Sequence, residues 1–325
     1  MAPNSDYRAQ ICTIYVWLID TDTEVLLARV RWWSGRVALL SLLVLLVSAG
    51  GGTSVPVGAA SSDATDATGT SDVDGDGLSA FAERTVYGTA PTDADTDGDG
   101  YPDGLEVRCT DTYPEADPLR QDVYVEVDAT GTRTLGNDTV AAVERAFATA
   151  PVSNDDAADG IAIHVRTNDT ALGANGTVYG ASRDGDANDV YDYHDTHFDH
   201  RAAGYYYVLL SDDVAYDGNA TYVGAGEPGL ATMEPLDSTQ QMASLFVHEL
   251  GHSFGLGPGL DGVDASRYSA TAYASVMNYN ALYDRVGYSD GSDSVGRDEW
   301  AFVADDRYRP SVSCPEGCAS SCPAT

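Results

Sequence analysis

The sequence predicts an α+β fold in which a twisted mixed sheet and one long helix follow a small acidic segment. Between residues 121 and 310, apolar runs typical of strands alternate with apolar stripes at helical spacing. Between residues 61 and 120, two short acidic loops recur with few apolar residues around them. The predicted segments are an upstream extension with a signal peptide, a linker with calcium-binding repeats, the α+β domain and a Cys-rich tail, at 1–60, 61–120, 121–310 and 311–325.

The composition is strongly acidic, with a formal net charge of -34 at pH 7. All 17 basic residues are Arg, and the 51 acidic residues divide into 40 Asp and 11 Glu. Such a surface argues against a nucleic-acid partner, because it repels a polyanion. It is typical of proteins that stay hydrated in molar salt, where the Debye length falls to about 3 Å and self-repulsion is screened. We therefore expect a halophilic source, with an ordinary acidic secreted protein as the alternative.

An export signal is predicted near the N-terminus. The apolar run from Val37 to Ser48 follows Arg29, Arg31 and Arg36, and small residues come after it. This is the pattern of a signal peptide, and the run is short for a membrane span. We expect a secreted, extracellular monomer with no stable membrane insertion after signal removal. A retained signal anchor is the alternative.

Two acidic loops have the spacing of calcium-binding loops and begin 23 residues apart, at Asp72 and Asp95. In each, carboxylates stand at positions 1, 3 and 5, a Gly at position 6 permits a sharp turn, and a Glu at position 12 can close the shell. The predicted calcium ligands are Asp72, Asp74, Asp76 and Glu83 in the first loop and Asp95, Asp97, Asp99 and Glu106 in the second. Residues 95–106 resemble the thrombospondin type 3 repeats of secreted proteins, which implies a calcium-wrapped spacer with little hydrophobic core.

The larger domain is predicted to begin with a strand, a helix and three further strands. Asp122 to Val127 alternates as a strand does, and Asp138 to Ala148 carries an apolar stripe at helical spacing. Ile161 to Val165 and the continuous apolar run Tyr205 to Leu210 are the next two strands, the second of them central. Gly229 to Met233 is a short strand, which we expect at the sheet edge near the long helix.

The long helix opens with a capping box, Ser238 to Gln241, and Gly255 is a natural stop. His248 and His252 stand at i and i+4, so both lie on one helical face and can reach a single zinc ion. Glu249, beside the first His, can take a proton from a zinc-bound water and hand it to a leaving amine. This spacing of residue types predicts hydrolytic metal chemistry.

A second motif, Ser275-Val-Met-Asn-Tyr279, follows the His-Glu-x-x-His helix and its Gly255. Together these residues resemble the metzincin superfamily of zinc peptidases. The resemblance implies a metzincin-like twisted sheet with an active-site helix and a Met-turn, and a catalytic role for residues 121–310. It also implies that Met277 forms an apolar floor beneath the zinc ligands and that Tyr279 contacts the zinc or steadies an oxyanion.

One position departs from the metzincin pattern. The superfamily places a third zinc ligand three residues after the Gly, where this chain has Pro258, which cannot ligate through its side chain. The loop that follows offers Asp264 as the first choice of third ligand and Asp261 as the second, and its glycines permit a long excursion. We interpret the long spacing as a variant similar to that of haloarchaeal proteins, with a degenerate, metal-free site as the alternative.

Three further patterns carry weaker predictions. The cluster His194, His197 and His200 is interpreted as a solvated loop, with a second structural metal as the alternative. A last helix is expected from Ser294 or Val295 to about Arg307, with Glu299 on a solvated or ion-paired face.

After signal removal four Cys remain, which allow two disulfides in three pairings. The tail holds Cys314, Cys318 and Cys322, so we expect Cys109 to pair with one of them and to staple the calcium segment to the tail. By analogy with other metzincins, the alternative for Cys109 is a latency role as a plug on the zinc.

The leading expectation is a secreted, calcium-stabilised, zinc-dependent endopeptidase that acts on a protein or peptide substrate, with Glu249 as general base and Tyr279 assisting. The alternatives are a catalytically silent metzincin-like calcium-binding surface protein and a zinc amidase that acts on a non-protein substrate.

Overall fold

A computed structural model describes residues 69–173, 176–180, 188–215, 221–313 and Cys318. The predicted signal segment, Cys314 and Cys322 lie outside these residues. The helices are α1 Ala80–Ala82, which continues as one π-helical turn over Glu83–Tyr87, α2 Asp103–Arg108, α3 Asn137–Ala148, α4 Val190–His197, α5 Thr239–Phe254 and α6 Glu299–Asp305. The strands are β1 Asp122–Ala129, β2 Ala162–Thr167, β3 Val178–Tyr179, β4 Tyr206–Leu210, β5 Val214–Ala215, β6 Thr221–Tyr222, β7 Gly224–Glu227 and β8 Leu230–Met233. Across the described ranges, no helix is both long and apolar enough to cross a membrane.

The main sheet has five strands in the order β2-β1-β4-β8-β7. The first four are parallel, and β7 pairs with β8 in the antiparallel direction. Strands β1 and β4 are buried along their whole length, as expected for central strands covered on both faces. The prediction of a mixed sheet is therefore confirmed, and the sheet is mostly parallel. A second, small sheet has the order β3-β5-β6.

The prediction that Gly229 to Met233 forms the edge strand is wrong. Strand β8 lies inside the sheet between β4 and β7, and the edge is β7. The sequence of β7, Gly-Ala-Gly-Glu, has no apolar alternation, so the pattern of a half-buried strand is missing there.

Helices α3 and α5 pack on one face of the sheet. Their apolar stripes, which include Val143, Phe147, Phe246 and Leu250, join the side chains of Val123, Val125 and Val127 in one buried cluster. Helix α4 packs on the opposite face through Val190 and Tyr193. The predicted helical stripes are thus the faces that cover the sheet.

The repeat segment packs on the face opposite α3 and α5. Tyr101, Leu105 and Tyr113 form a buried cluster with Tyr124 of β1 and with Tyr205. The Tyr101 hydroxyl donates to the carbonyl of Gly204 at 2.7 Å. The spacer implied by the resemblance, with little hydrophobic core, therefore differs from the structure, in which the second repeat has a tyrosine-rich core shared with the sheet.

Cys109, at the end of α2, is paired with Cys318 in a disulfide. This pair closes a loop of 209 residues and ties the repeat segment to the tail, as the sequence predicts. A cysteine in a disulfide has no thiolate to offer a metal, so the alternative in which Cys109 plugs the zinc site is contradicted.

The last helix is shorter than predicted, because α6 begins only at Glu299. The Asp293 carboxylate accepts from the amides of Val295 and Gly296, which holds that stretch as a loop, and Asp298 caps α6 by accepting from the amide of Ala301. Glu299 is fully buried and accepts from the Tyr273 hydroxyl and the Ser289 amide, so a solvated setting is wrong. The predicted ion-paired setting is confirmed, because Oε1 of Glu299 lies 3.7 Å from the Arg297 guanidinium.

Candidate metal site and acidic loops

Helix α5 brings three polar side chains to one buried position. Its first turn is capped by the Ser238 hydroxyl, which accepts from the Gln241 amide, and it ends at Gly255 with φ 105°. His248, Glu249 and His252 lie in the last two turns and are all buried. One ligand atom from each of them lies within 4.8 Å of the others. The i, i+4 spacing brings the two imidazoles together, and the Glu249 carboxylate reaches the same position.

Both imidazoles are held in one tautomer by main-chain carbonyls. Nδ1 of His248 lies 3.0 Å from the carbonyl oxygen of Val276, and Nδ1 of His252 lies 2.7 Å from that of Leu256. Because a carbonyl oxygen only accepts, each Nδ1 carries the proton. The Nε2 atom of each neutral ring is then left with its lone pair, which is the arrangement that a metal-ligating His requires.

Asp264 supplies the third acceptor. Its Oδ1 atom lies 3.3 Å from Nε2 of His248 and 3.3 Å from Nε2 of His252. This oxygen is buried and has no hydrogen-bond partner. The residue has a left-handed φ of 53°, which Asp tolerates, and its amide donates to the carbonyl of Met277 at 3.0 Å. Two nitrogen lone pairs and one carboxylate oxygen therefore face each other around a point that calls for positive charge.

The charges respond to this arrangement. Although burial opposes the shift, the neighbouring His252 and His248 rings hold the pKa of the Asp264 carboxyl below its usual range. In the same way, and again against the effect of burial, the Asp264 carboxylate raises the pKa of His252. Each group favours a positive charge between them, which a proton or a metal ion can supply.

The structure separates the two candidates for the third position. Asp261 has an exposed side chain that accepts from Arg267 at 2.7 Å and from the Tyr268 hydroxyl at 2.6 Å. Asp264, and not Asp261, lies beside the imidazoles. The loop reaches this position because the amide of Asp264 bonds to the Met277 carbonyl, a contact between distant residues that sequence spacing does not show.

Glu249 points toward the edge strand β7. A Cβ atom added at Gly224 would lie 2.4 Å from Oε1 of Glu249, and one added at Gly226 would lie 2.5 Å from the carbonyl oxygen of Glu249 and 2.7 Å from Cβ of His252. At Gly226 the clashing atoms belong to the backbone and a Cβ of α5, which cannot move aside, so only glycine permits this approach. Burial raises the pKa of the Glu249 carboxyl to about 7, while His248 lowers it and Asp264 raises it. The sequence analysis missed both glycines, whose only signal is the Gly-x-Gly spacing before β8.

The turn that carries Met277 underlies the site. Met277 is fully buried, and a Cβ atom added at Gly251 would lie 2.6 Å from its sulfur, so the thioether contacts the helix between the two His. The turn is held by Asn278, whose side-chain amide donates to the carbonyl of Tyr273 at 2.9 Å. The Tyr279 ring lies 5.9 Å from the His248 ring, centroid to centroid.

Each acidic loop turns around its first carboxylate and has left-handed glycines at positions 4 and 6. In the first, the Asp72 carboxylate accepts from the amides of Gly75 at 2.7 Å and Gly77 at 3.0 Å. In the second, Asp95 accepts from the amides of Asp99 at 3.1 Å and Gly100 at 2.9 Å. The carboxylates at positions 1, 3 and 5 of each loop come within 4.8 Å of one another. The predicted sharp turn is therefore present in both loops.

Many carboxylate oxygens in these loops are buried without a hydrogen-bond partner. They are Oδ2 of Asp74, Asp76 and Asp97 and both carboxylate oxygens of Glu83 and Glu106. Burial and then the neighbouring Asp74 and Asp76 raise the pKa of Glu83 to about 7, and burial and then Asp95 raise the pKa of Asp97 to about 8. Because buried anions need a counter-charge, these oxygens can hold hard cations.

The three clustered histidines have separate partners. Nδ1 of His194 lies 3.1 Å from Asp195, Nδ1 of His197 lies 3.8 Å from Asp169, and His200 bonds to the buried Glu126. The structure does not bring them together as a metal site.

In comparisons with known proteins, the chain matches no family model and no curated protein. Any functional assignment therefore depends on the site itself.

Proposed function

We propose that the chain is a secreted, zinc-dependent endopeptidase of the metzincin type, in which His248, His252 and Asp264 hold the metal and Glu249 is the general base. The observation that carries this proposal is the unpartnered Asp264 oxygen, 3.3 Å from both Nε2 atoms.

The donor set fits zinc in distance and in type. A tetrahedral ion with bonds of about 2.0–2.1 Å separates neighbouring ligand atoms by about 3.3 Å, which matches the two distances from Asp264. Two imidazole nitrogens favour a transition metal over calcium or magnesium, which prefer oxygen ligands only. Three protein ligands, rather than four, are also what catalytic zinc sites use.

When bound, zinc polarises a scissile carbonyl and acidifies water. The residues of the chain do the rest. Glu249, with a pKa near 7, can accept a proton from water and return it to the leaving amine nitrogen. Tyr279, against the His248 ring, can donate its phenol proton to a developing oxyanion. The floor formed by Met277 keeps water away from the underside of the ligands.

Fold features support the metzincin assignment. A mostly parallel sheet precedes the helix, an antiparallel edge strand lies against that helix, and a buried Met-turn lies under it. The proposal also assigns calcium to the acidic loops. It assigns an exported location to the chain, with which the disulfide is compatible. The Lys-free composition is assigned to a halophilic source.

Metal analysis of the full chain, beside casein cleavage in molar salt with calcium, tests the proposal. We expect one zinc per chain and calcium-supported cleavage in the parent. Asp264→Asn should lose most of both, because it removes a ligand charge. Asp261→Asn is the matched control, three residues away and exposed, and should keep both.

Two results would change the assignment. A parent chain without zinc, or equal zinc content in Asp264→Asn and the parent, would contradict the metal site and favour a catalytically silent surface protein. A parent with zinc that cleaves neither casein nor other peptides would point to an amidase with a non-protein substrate.

A further inference from the structure

The second acidic loop lies against a carboxylate that does not belong to the loop. Asp122, the first residue of β1, has a carboxylate oxygen within 4.8 Å of one from Asp99 and one from Glu106. The side chains are almost completely buried, with Asp122 0%, Asp99 1% and Glu106 2% exposed. Three carboxylates thus meet out of water at the junction between the repeat segment and the sheet.

Within this cluster, hydrogen bonds satisfy Asp99 and Asp122 but leave the Glu106 carboxylate without a partner. Both carboxylate oxygens of Glu106 and Oδ2 of Asp97 are buried without a partner. Oδ1 of Asp122 is bonded to Nε2 of His164 at 2.5 Å, and its Oδ2 accepts from the Asp117 amide at 3.0 Å, so this carboxylate is held in place from behind. An unpaired buried carboxylate is costly, so Glu106 calls for a cation.

The neighbouring arginine makes its hydrogen bonds to carbonyl oxygens and not to these carboxylates. Arg307 is buried, and its guanidinium donates to the main-chain carbonyls of Asp99 at 2.9 Å and Asp122 at 3.1 Å. It also donates to Gln121 at 3.2 Å. Arg307 therefore fixes the backbone on both sides of the cluster while the carboxylates face one another.

We propose that Asp122 is a ligand of the calcium ion held by the second acidic loop, so that one ion joins the repeat segment to the first strand of the sheet. The donor set contains only oxygen, which selects a hard cation, and its many carboxylates suit the six to eight ligands that calcium takes. The amide of Asp122 donates to Oδ2 of Asp99 at 2.6 Å, so a hydrogen bond holds the two residues together without the ion.

The proposal gives calcium a role beyond stiffening the loops. Strand β1 lies inside the sheet and pairs with both β2 and β4. An ion shared by Asp99, Glu106 and Asp122 holds the start of this strand to the repeats. The repeat segment is then an integral part of the domain and not a detachable spacer.

Calcium titration calorimetry of the full chain, stripped of calcium and held in molar salt, tests this proposal. The parent should show two classes of site, one for each loop. Asp122→Asn should weaken one class by about tenfold or more, since affinity depends on ligand charge. Asp111→Asn removes an exposed charge outside the cluster and should bind as the parent does. Asp74→Asn should weaken the other class. Parent-like affinity at both classes in Asp122→Asn would overturn the proposal.

Hydrogen exchange of the parent gives a test that needs no variant. Calcium removal should speed exchange of the Asp117 and Asp122 amides, which bond to cluster carboxylates, by about tenfold or more. The amides of β8 are the internal reference. Equal exchange at Asp117 and Asp122 with and without calcium would overturn the proposal even if Asp122→Asn failed to fold.

Discussion

The His–Asp site (His248, His252 and Asp264) and the second acidic loop (residues 95–106) both gather buried acceptors around a point that needs positive charge, but they do so differently. In the His–Asp site, main-chain carbonyls fix the two rings from behind, and the ligand atoms take no part in shaping the backbone. In the loop, the carboxylates proposed to hold the cation also fold the turn, because Asp95 accepts hydrogen bonds from the amides of Asp99 and Gly100. Shape and ligation are therefore separable in the first region and inseparable in the second.

The largest expected effect comes from Glu249→Gln, which tests the separable site. The amide cannot accept the proton, so we expect cleavage to fall by about 10²–10⁴-fold. Zinc content should stay at the parent level, because the three ligands are untouched. Casein cleavage and metal analysis are the measurements, and Glu144→Gln, exposed on α3, is the control. Cleavage by Glu249→Gln at the parent rate would exclude Glu249 as the base.

The sequence predicts those ligands of the two sites that lie close together along the chain. The loop ligands fall within twelve residues, and the two His and Glu249 share one helix, so spacing alone indicates each group. Asp264 is held beside the imidazoles by a hydrogen bond from its amide to the Met277 carbonyl. Asp122 lies outside the acidic loop, at the start of a strand that pairs with β2 and β4. The sequence offers two carboxylates in the loop, with Asp264 in Gly-Val-Asp as the first choice and Asp261 as the second, and it gives no reason to link Asp122 with calcium.

The fold shows the same division. Strands β1, β2 and β4 and helices α3 and α5 follow from apolar periodicity, since burial selects those side chains. The edge strand β7 is not predicted, because its glycines are there to let the backbone lie close to Glu249 and His252. Apolar periodicity carries no signal for such a contact. Helix α6 is short because Asp293 and Asp298 use their side chains to bond the backbone before the helix starts.

Glycine substitutions should destabilise the two regions for different reasons, a steric clash near the His–Asp site and backbone strain in the acidic loop. At Gly226, a Cβ would meet backbone and Cβ atoms of α5, so Gly226→Ala should cost about 1–3 kcal/mol and Gly226→Asn more. At Gly98 there is open space but a φ of 73°, so Gly98→Ala should cost about 1 kcal/mol and Gly98→Asn less. Denaturant unfolding in calcium measures these values. The opposite order of Asn and Ala at either glycine would contradict the stated cause.

The pH dependence of the stability of the calcium-free protein tests the raised pKa values of the loop carboxyl groups. Burial raises the pKa of Glu83 to about 7 and that of Asp103 to about 6, both above the ordinary values of 4.5 and 3.8. The folded chain then binds protons that the unfolded chain has released, and Asp97, whose pKa is raised to about 8, extends this difference. Stability should therefore fall as pH rises from about 4 to about 8.

Thermal unfolding of protein stripped of calcium beforehand checks this dependence. We expect the midpoint to drop by several degrees between pH 5 and pH 7 without calcium, and Glu83→Gln should flatten the curve. Asp111→Asn, at an exposed position, should not. A midpoint that rises over this range in the calcium-free parent would contradict the prediction.

The smallest expected effect is that of Ser238→Ala at the start of α5. The Ser238 hydroxyl caps the helix by accepting from the Gln241 amide, and its loss should cost about 1 kcal/mol of folding free energy. The ring nitrogens of His248 and His252 are fixed by Val276 and Leu256 at the far end of the helix, so zinc content should not change. Asp72→Ala in the first loop should differ in kind, because it removes a turn acceptor and a ligand together and should lower stability and calcium binding at once. If Ser238→Ala lowered zinc content in step with stability, ligation and shape would be coupled in both regions, and the distinction between them would fail.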